Sequence, residues 1–280
     1  MEDKVTYLII SPDSKYLVAF LDESLSVFSL ENFEKLHTVK SESESFHSCS
    51  TPYRSLVHIL KNNRLIYQGF GYKDNKKMYV VDLESGKNLY HVSHYKEYSS
   101  TVVSVHPSER VVAFGTGSTG TVNGDCDKRW YIHQADDGKQ VSECTTEFSG
   151  KYGVTCLCLF GSDKIFAASA LMYNERNDIK IFYAGTVDHP LTTVVPCQSL
   201  TGHSQEIVQL LFNKDENILY TASKDCTIRV WNVGRVVTEF NDKYLHSDKQ
   251  FDETKTLEDY RTGMKTSTTD AIKIGRYAYL

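Results

Sequence analysis

Residues 200–232 read LTGHSQEIVQLLFNKDENILYTASKDCTIRVWN, and they contain three short β-rich runs separated by turn residues. The runs cover 207–212, 217–223 and 227–232, and each is rich in the β-branched and aromatic residues that strands favour. Connections this short join antiparallel neighbours. The stretch therefore predicts three consecutive strands of one antiparallel sheet.

The same order of strands and turns recurs along the rest of the chain. Aligning the units on the residue that ends the third run gives spacings of 53, 50, 51 and 49 residues. A further strand-like run follows each third run, and the last of these is expected at 235–240. Four antiparallel strands repeated at about fifty residues are typical of a β-propeller, in which each unit is one blade. The aligned residues are Phe28, Val81, Tyr131, Phe182 and Trp231.

The fifth unit resembles a WD40 repeat in its Gly-His pair at 202–203, its Ser-x-Asp turn at 223–225 and its Trp-Asn end at 231–232. The resemblance is close over residues 200–240 and only architectural over 5–199. It implies a buried hydrogen-bonded tetrad with a structural role, and partial counterparts in the first and third units. The implied tetrad is His203, Ser223, Asp225 and Trp231, and the partial counterparts are Asp22 with Phe28 and Asp125 with Tyr131.

We therefore expect an all-β fold, a β-propeller of four-stranded antiparallel blades, with five blades within residues 1–240. Propellers of the WD40 family usually have seven blades, and 280 residues at this period make fewer than six. The chain then forms either a small ring or part of a larger, seven-bladed one. Residues 241–280 differ in composition, and we interpret them as a C-terminal extension that is flexible or docks on the propeller or on a partner.

Composition limits the classes of partner. A net charge of -5 and the lack of a Lys/Arg cluster argue against binding to a nucleic-acid backbone. No run approaches the roughly 20 apolar residues of a membrane helix, so no membrane partner is expected. The seven cysteines are scattered and form no C-x-x-C pair. We expect reduced thiols and a cytoplasmic protein, with the nucleus as the alternative.

A glycine-rich stretch, GTGSTGTV at 115–122, fits the patterns of kinase and dinucleotide-binding loops. The other kinase motifs are missing, and the residues that follow lead into a strand rather than the helix of a dinucleotide site. We interpret the stretch as a turn between two strands. No histidine or cysteine spacing indicates a metal site, and no motif indicates catalysis, so we expect no cofactor, no metal and no enzymatic activity.

The resemblance implies a non-catalytic scaffold that presents its propeller face and loops to partner proteins. By analogy with the family, the candidate rim contacts are Lys224, Gly124 and Leu21. A second hypothesis is that the chain is the WD-repeat sensor of a larger multidomain signalling NTPase. A ubiquitin-ligase substrate adaptor is a weaker alternative, because Arg235 lies one place too far from Trp231-Asn232 for the motif that such adaptors use.

Overall fold

The structure is a computed structural model that describes residues 5–21, 24–40, 57–68, 77–93, 99–117, 129–144, 152–172, 177–237 and 271–276. These residues form five units of four antiparallel strands, which we number as the first to fifth sheets along the chain. A single parallel pair, Glu143 with Thr193, joins the third and fourth sheets into one eight-stranded sheet. The predicted all-β fold of four-stranded antiparallel units is confirmed, and it fits a β-propeller.

Within each sheet the strands follow one another as neighbours, from the first strand to the fourth. The first sheet contains β1 (Tyr7–Ile10), β2 (Tyr16–Phe20), β3 (Ser24–Ser29) and β4 (Lys35–Lys40). The second contains β5 (Val57–Ile59), β6 (Arg64–Gln68), β7 (Lys77–Asp82) and β8 (Asn88–Ser93). The third contains β9 (Ser99–Val105), β10 (Val111–Gly117), β11 (Trp130–Gln134) and β12 (Gln140–Cys144). The fourth contains β13 (Tyr152–Phe160), β14 (Lys164–Met172), β15 (Ile179–Thr186) and β16 (Pro190–Leu200). The fifth contains β17 (Ile207–Asn213), β18 (Ile218–Ser223), β19 (Thr227–Asn232) and β20 (Ala271–Arg276).

One backbone hydrogen bond repeats in all five sheets and identifies equivalent positions. The N–H of the residue after the third strand donates to the carbonyl of the residue before the second strand, over 2.8 to 3.0 Å. The donor and acceptor pairs are Leu30 and Lys15, Leu83 and Asn63, Ala135 and Arg110, Val187 and Asp163, and Val233 and Asn217. The repeat is therefore a geometric one, and it holds even where side-chain similarity is lost.

This bond corrects the sequence alignment of the third unit. Trp231 lies two residues before the donor Val233, and the residue two before the donor Ala135 is His133, not Tyr131. The strand register agrees, because His133 pairs with Val112 as Trp231 pairs with Leu219. The shared Asp-Cys-x-x-Arg pattern of the third and fifth units misled the alignment by two residues. In the fourth unit the residue two before the donor Val187 is Gly185, so the aligned Phe182 is displaced as well, by three residues.

The core lies between successive sheets, in four clusters. Adjacent residues of a strand point to opposite faces of its sheet. Two adjacent residues of each second strand therefore report whether each face of that sheet is buried. Both residues are fully buried in the second, third and fourth sheets, whereas only one of the two is fully buried in the first and in the fifth. The pairs are Leu17-Val18, Leu65-Ile66, Val112-Ala113, Ile165-Phe166 and Leu219-Tyr220. The core clusters join first to second, second to third, third to fourth and fourth to fifth sheets.

Polar contacts also join successive sheets at the end where the first turn and the third turn of each unit lie. Arg64 pairs with Asp136 of the third sheet at 2.9 Å, and Arg110 pairs with Asp188 of the fourth at 2.7 Å. Both arginines lie at the start of a second strand and both aspartates in the turn before a fourth strand. Exposed pairs of this kind contribute about 0–1 kcal/mol each, so packing provides most of the stability.

The fourth strand of the fifth sheet differs from our expectation. The predicted strand at 235–240 does not form over its described part, because residues 234–237 make a helical turn. Val237 N–H donates to the carbonyl of Val233 at 3.2 Å within that turn. The place of the fourth strand is taken instead by β20, which pairs antiparallel with β19. The fifth sheet thus includes residues beyond the expected boundary at 240.

The turn between β11 and β12 depends on a glycine. Gly138 has a φ of +74°, a left-handed conformation that suits glycine, and a Cβ there would lie 2.5 Å from the ring of Tyr90. Tyr90 packs against this turn from the second sheet, and its O–H donates to the carbonyl of Ala135 at 2.6 Å. Gly86 has the same role against His37 of the first sheet, whose Nε2–H donates to the carbonyl of Glu84 at 2.6 Å. These two turns are joints between neighbouring sheets.

We expect Gly138→Ala to lower the free energy of unfolding by about 1–3 kcal/mol, because it adds a backbone strain and a clash with Tyr90. Urea denaturation followed by tryptophan fluorescence measures the change. In a Tyr90→Ala background the clash is absent, so Gly138→Ala should cost less there than in the wild-type chain. If Gly138→Ala lowers the free energy of unfolding equally in both backgrounds, the contact between Tyr90 and this turn does not require glycine.

Candidate functional site

The chemistry-bearing side chains of the fifth unit meet at one end of its sheet. His203 lies between β16 and β17, Thr221 is on β18, and Trp231 is on β19. Asp225 lies in the tight turn between β18 and β19, where the N–H of Cys226 donates to the carbonyl of Ser223 at 3.1 Å. The turn points the Asp225 carboxylate towards His203. The ring of Trp231 lies near the ring of His203, with 6.5 Å between their centroids.

A continuous chain of hydrogen bonds links these residues. His203 Nδ1 is 2.8 Å from Asp225 Oδ2, and His203 Nε2 is 2.7 Å from Thr221 Oγ1. Trp231 Nε1 donates to the same Thr221 Oγ1 at 3.0 Å. With one proton on Nδ1, each donor meets an acceptor, because the threonine hydroxyl donates to Nε2 and accepts from the indole. The neutral imidazole therefore satisfies the chain completely.

Asp225 is the most heavily hydrogen-bonded carboxylate of this site. Its Oδ1 accepts from Thr227 N–H at 2.9 Å and from Thr227 O–H at 2.6 Å. Its Oδ2 accepts from His203 and from Ser204 N–H at 3.0 Å. Burial by itself raises the pKa of Asp225, but the bonds from Thr227, His203 and Ser204 outweigh it and hold the pKa far below its ordinary value. The carboxylate stays ionised and anchors the turn.

His203 is held in its neutral form. Burial is the largest effect on its pKa and lowers it, and the opposing effect of Asp225 is smaller. A second ring proton would leave Thr221 facing two N–H donors, with its own proton lacking the acceptor it now uses. The pair of His203 and Asp225 is therefore a neutral-to-charged hydrogen bond rather than an ion pair at neutral pH.

The structure brings three of the four implied tetrad residues together and replaces the fourth. Ser223 hydrogen-bonds elsewhere, because its O–H donates to the carbonyl of Gln205 at 2.9 Å and its oxygen accepts from Asp225 N–H at 3.1 Å. Thr221 provides the hydroxyl instead. The period of two places Thr221 and Ser223 on the same face, and Leu219 is the cross-strand partner of Trp231. Counting from that partner places Thr221 nearer the indole, a signal the spacing of the motif alone does not give.

The partial tetrads cannot be assembled in the same way. Asp22 and Asp125 lie outside the described residues. Phe28 is half-buried and pairs with Leu17, the register position that Trp231 has in the fifth sheet. Tyr131 is buried and pairs with Phe114. The implied equivalence of Tyr131 and Trp231 is thus wrong, as the register of the third sheet shows.

The candidate rim residues differ in their surroundings. Lys224 lies beside Asp225, and its ammonium is 2.7 Å from Glu206 Oε2. Its backbone N–H donates to the carbonyl of Glu206 at 2.9 Å, so both ends of the residue are held. Leu21 is half-buried, and its N–H donates to the carbonyl of Ser24 at 2.8 Å. Gly124 lies outside the described residues.

Comparison with protein families finds a match, and it covers the fifth unit. Residues 194–232 match the family model described as WD domain, G-beta repeat. This segment is similar to a WD40 repeat. The WD40 match begins in β16, the fourth strand of the fourth sheet, and ends with β19, so the WD40 repeat is offset by one strand from the sheet. A comparison with curated proteins found no match to this chain.

Thr221, His203 and Asp225 are linked in the same order as the hydroxyl, imidazole and carboxylate of a catalytic triad, but Thr221 cannot act as a nucleophile. Thr221 and His203 are buried, and the threonine oxygen already accepts from Trp231. A catalytic hydroxyl needs a substrate within reach. Within the described ranges no group of three or more His, Cys, Asp or Glu side chains is placed to hold a metal ion. Across the same ranges no helix is long and apolar enough to cross a membrane.

We expect Thr221→Val to lower the free energy of unfolding by about 1–3 kcal/mol, because it leaves His203 and Trp231 facing a methyl group inside the protein. Chemical denaturation measures the loss. Thr38→Val is the matched control, since Thr38 is exposed on β4, and it should change stability little. If the two variants are equally stable, the hydroxyl of Thr221 has no structural role.

We also expect the free energy of unfolding to fall as the pH is lowered from 7 to 5. Burial lowers the pKa of His106, His133 and His203 in the folded chain, whereas an unfolded histidine titrates near about 6.5. Below that pH the unfolded chain binds protons that the folded chain excludes, so acid favours unfolding. Urea unfolding at pH 7, 6 and 5 measures the trend, and constant or rising stability would contradict it.

Proposed function

We propose that this chain is a non-catalytic platform that binds other proteins. A WD40 repeat supports a protein-interaction role in general. The observation that carries the proposal further is that, among the residues the structure describes, no sheet covers one apolar face of the first sheet or one apolar face of the fifth. Large exposed apolar patches mark interaction surfaces in soluble proteins.

The uncovered face of the first sheet includes Leu8 and Ile10, which are 53% and 55% exposed. Their register partners on β2 are Ala19 and Leu17. The equivalent residues of the second sheet, Val57 and Ile59, are only 7% and 4% exposed, because they pack against the first sheet. The same type of residue at the same place is thus buried wherever a neighbouring sheet covers it.

The uncovered face of the fifth sheet is the opposite one. Leu211 is 61% exposed and pairs with Tyr220, which is half-buried. In the other four sheets the position of Tyr220 is fully buried against the next sheet along the chain. The residues at that position are Val18, Ile66, Ala113 and Phe166. This face has the composition of a packed interface without a sheet on it.

The kind of partner follows from the interior of the same molecule. Each covered face of these sheets packs against another antiparallel sheet, so we propose that a partner protein places a β-sheet on each uncovered face. Burying one Leu or Ile side chain fully contributes about 1.5–3 kcal/mol. Lys224, held at the rim by Glu206, would add a polar contact beside the fifth sheet.

We expect Leu8→Asp combined with Ile10→Asp to remove protein partners that the wild-type chain retains, because a carboxylate on this face opposes burial. Quantitative mass spectrometry of proteins co-purified from cells measures the loss. Leu211→Asp tests the face of the fifth sheet in the same way.

Leu89→Asp is the matched control for both variants. Leu89 is also an exposed leucine, but it lies on β8 of the second sheet, both of whose faces are covered. Partners should be kept with this variant and lost with the face variants. A set of partners that is the same for all three variants would reject the two faces as binding surfaces.

The uncovered faces also favour a second candidate, in which the covering sheets belong to the same polypeptide. The chain would then be the WD-repeat sensor of a larger multidomain signalling NTPase. Immunoblotting of native extracts with an antibody against residues 1–240 separates the two. A band near 31.9 kDa supports the platform. A much larger band supports the sensor if mass spectrometry of that band identifies peptides of a nucleotide-binding domain.

A further inference from the structure

The fifth sheet obtains its fourth strand in a way that sets it apart. In the first four sheets the fourth strand follows the third after a short turn, at residues 30–34, 83–87, 135–139 and 187–189. In the fifth sheet the chain leaves β19 at Asn232, makes a helical turn, and returns as β20 only at Ala271. The outer edge of β19 is therefore filled by a distant segment.

The pairing of β19 with β20 contains one register shift, as do the corresponding pairings of the first three sheets. Ala271, Ile272 and Lys273 lie opposite Trp231, Val230 and Arg229, and the register then shifts before Arg276 pairs with Thr227. The register thus places a lysine opposite an arginine.

Arg229 on β19 has a buried hydrogen-bond donor without an acceptor in the part of the chain that the structure describes. Its Nε is buried, and no hydrogen-bond acceptor among the described residues reaches it. Its guanidinium lies beside Gly202, close to His203, on the face that packs towards the fourth sheet. A buried guanidinium N–H favours a carboxylate as its partner, and such a bond is among the strong ones in proteins.

We propose that the outer edge of β19 is a binding site for an extended peptide strand, filled in cis by β20, and that it favours a partner strand with an acidic residue opposite Arg229. A strand added to a sheet edge gains main-chain hydrogen bonds from the ladder, and its side chains determine the preference. The cis strand provides the ladder, and position 273 is the one opposite Arg229 in the register. A partner strand with Glu or Asp at that place replaces it.

This site goes beyond the proposed platform, because it is the edge of the fifth sheet and not one of the uncovered faces. Its ligand is a single strand rather than a sheet. The Leu8, Ile10 and Leu211 variants leave the edge of β19 intact, so the two proposals fail separately.

The test uses the full-length chain and synthetic peptides of residues 268–278. Ile272→Pro with Lys273→Pro in the chain displaces β20, since adjacent strand residues point their N–H groups to opposite sides and one of the two must face β19. This variant should bind the fluorescent peptide, measured by anisotropy. The wild-type chain should bind it at least about tenfold more weakly, because its own tethered strand competes.

The charge preference is tested with a second peptide that carries Lys273→Glu. We expect this peptide to bind the chain with Ile272→Pro and Lys273→Pro about tenfold more tightly than the unmodified peptide does, because its carboxylate forms a charged hydrogen bond with Arg229. Adding Arg229→Gln to the chain should abolish the difference between the two peptides while both still bind. A peptide with both prolines should bind neither chain. Equal affinity of the acidic and unmodified peptides would overturn the preference.

A measurement on the wild-type chain covers the case in which the proline variant does not fold. Hydrogen exchange should show protected amides at 271–276, and a saturating concentration of the acidic peptide should remove that protection. Amides at 271–276 that exchange freely in the wild-type chain, or protection that the peptide leaves unchanged, would overturn the proposal.

Discussion

A sheet with two apolar faces must be covered on both sides, and this single constraint accounts for most of the molecule. Strand residues alternate between faces, so the adjacent pairs of the second strands place one apolar side chain on each side of every sheet. In the second, third and fourth sheets both side chains are fully buried. The sheets therefore have to follow one another face to face, and a propeller arrangement is the result.

Polar groups refine this packing rather than cause it. Tyr90 and His37 close the turns of the following sheets, and in both cases glycine is required because the neighbouring ring occupies the space of a Cβ. In the fifth unit the hydrogen bonds from Trp231 through Thr221 and His203 to Asp225 fix the turn that contains Lys224. A fully satisfied buried network of this kind specifies one conformation of the turn. It holds Lys224 beside Glu206 at one end of the fifth sheet.

The sequence allowed the strands, their order and the five units to be predicted, because alternation and turn residues act locally. It also identified His203, Asp225 and Trp231, whose spacing is fixed by one hairpin. Thr221 was missed because the choice between Thr221 and Ser223 depends on the cross-strand register, which local spacing does not determine. The same holds for His133, where a shared Asp-Cys-x-x-Arg pattern suggested Tyr131. Docking of the C-terminal extension on the propeller was one of the alternatives that the sequence left open, but the edge on which β20 pairs could not be predicted, since that pairing joins residues far apart in the chain.

The late arrival of β20 has a consequence for synthesis on the ribosome. The first four sheets have contiguous strands, so each can be completed soon after it emerges. The fifth has three strands when Asn232 is made and receives the fourth only about 40 residues later, a delay of roughly 2–8 s at ordinary translation rates. During that interval the edge of β19 is open to any nascent or neighbouring strand. Codon choice over residues 233–270 would set how long this exposure lasts.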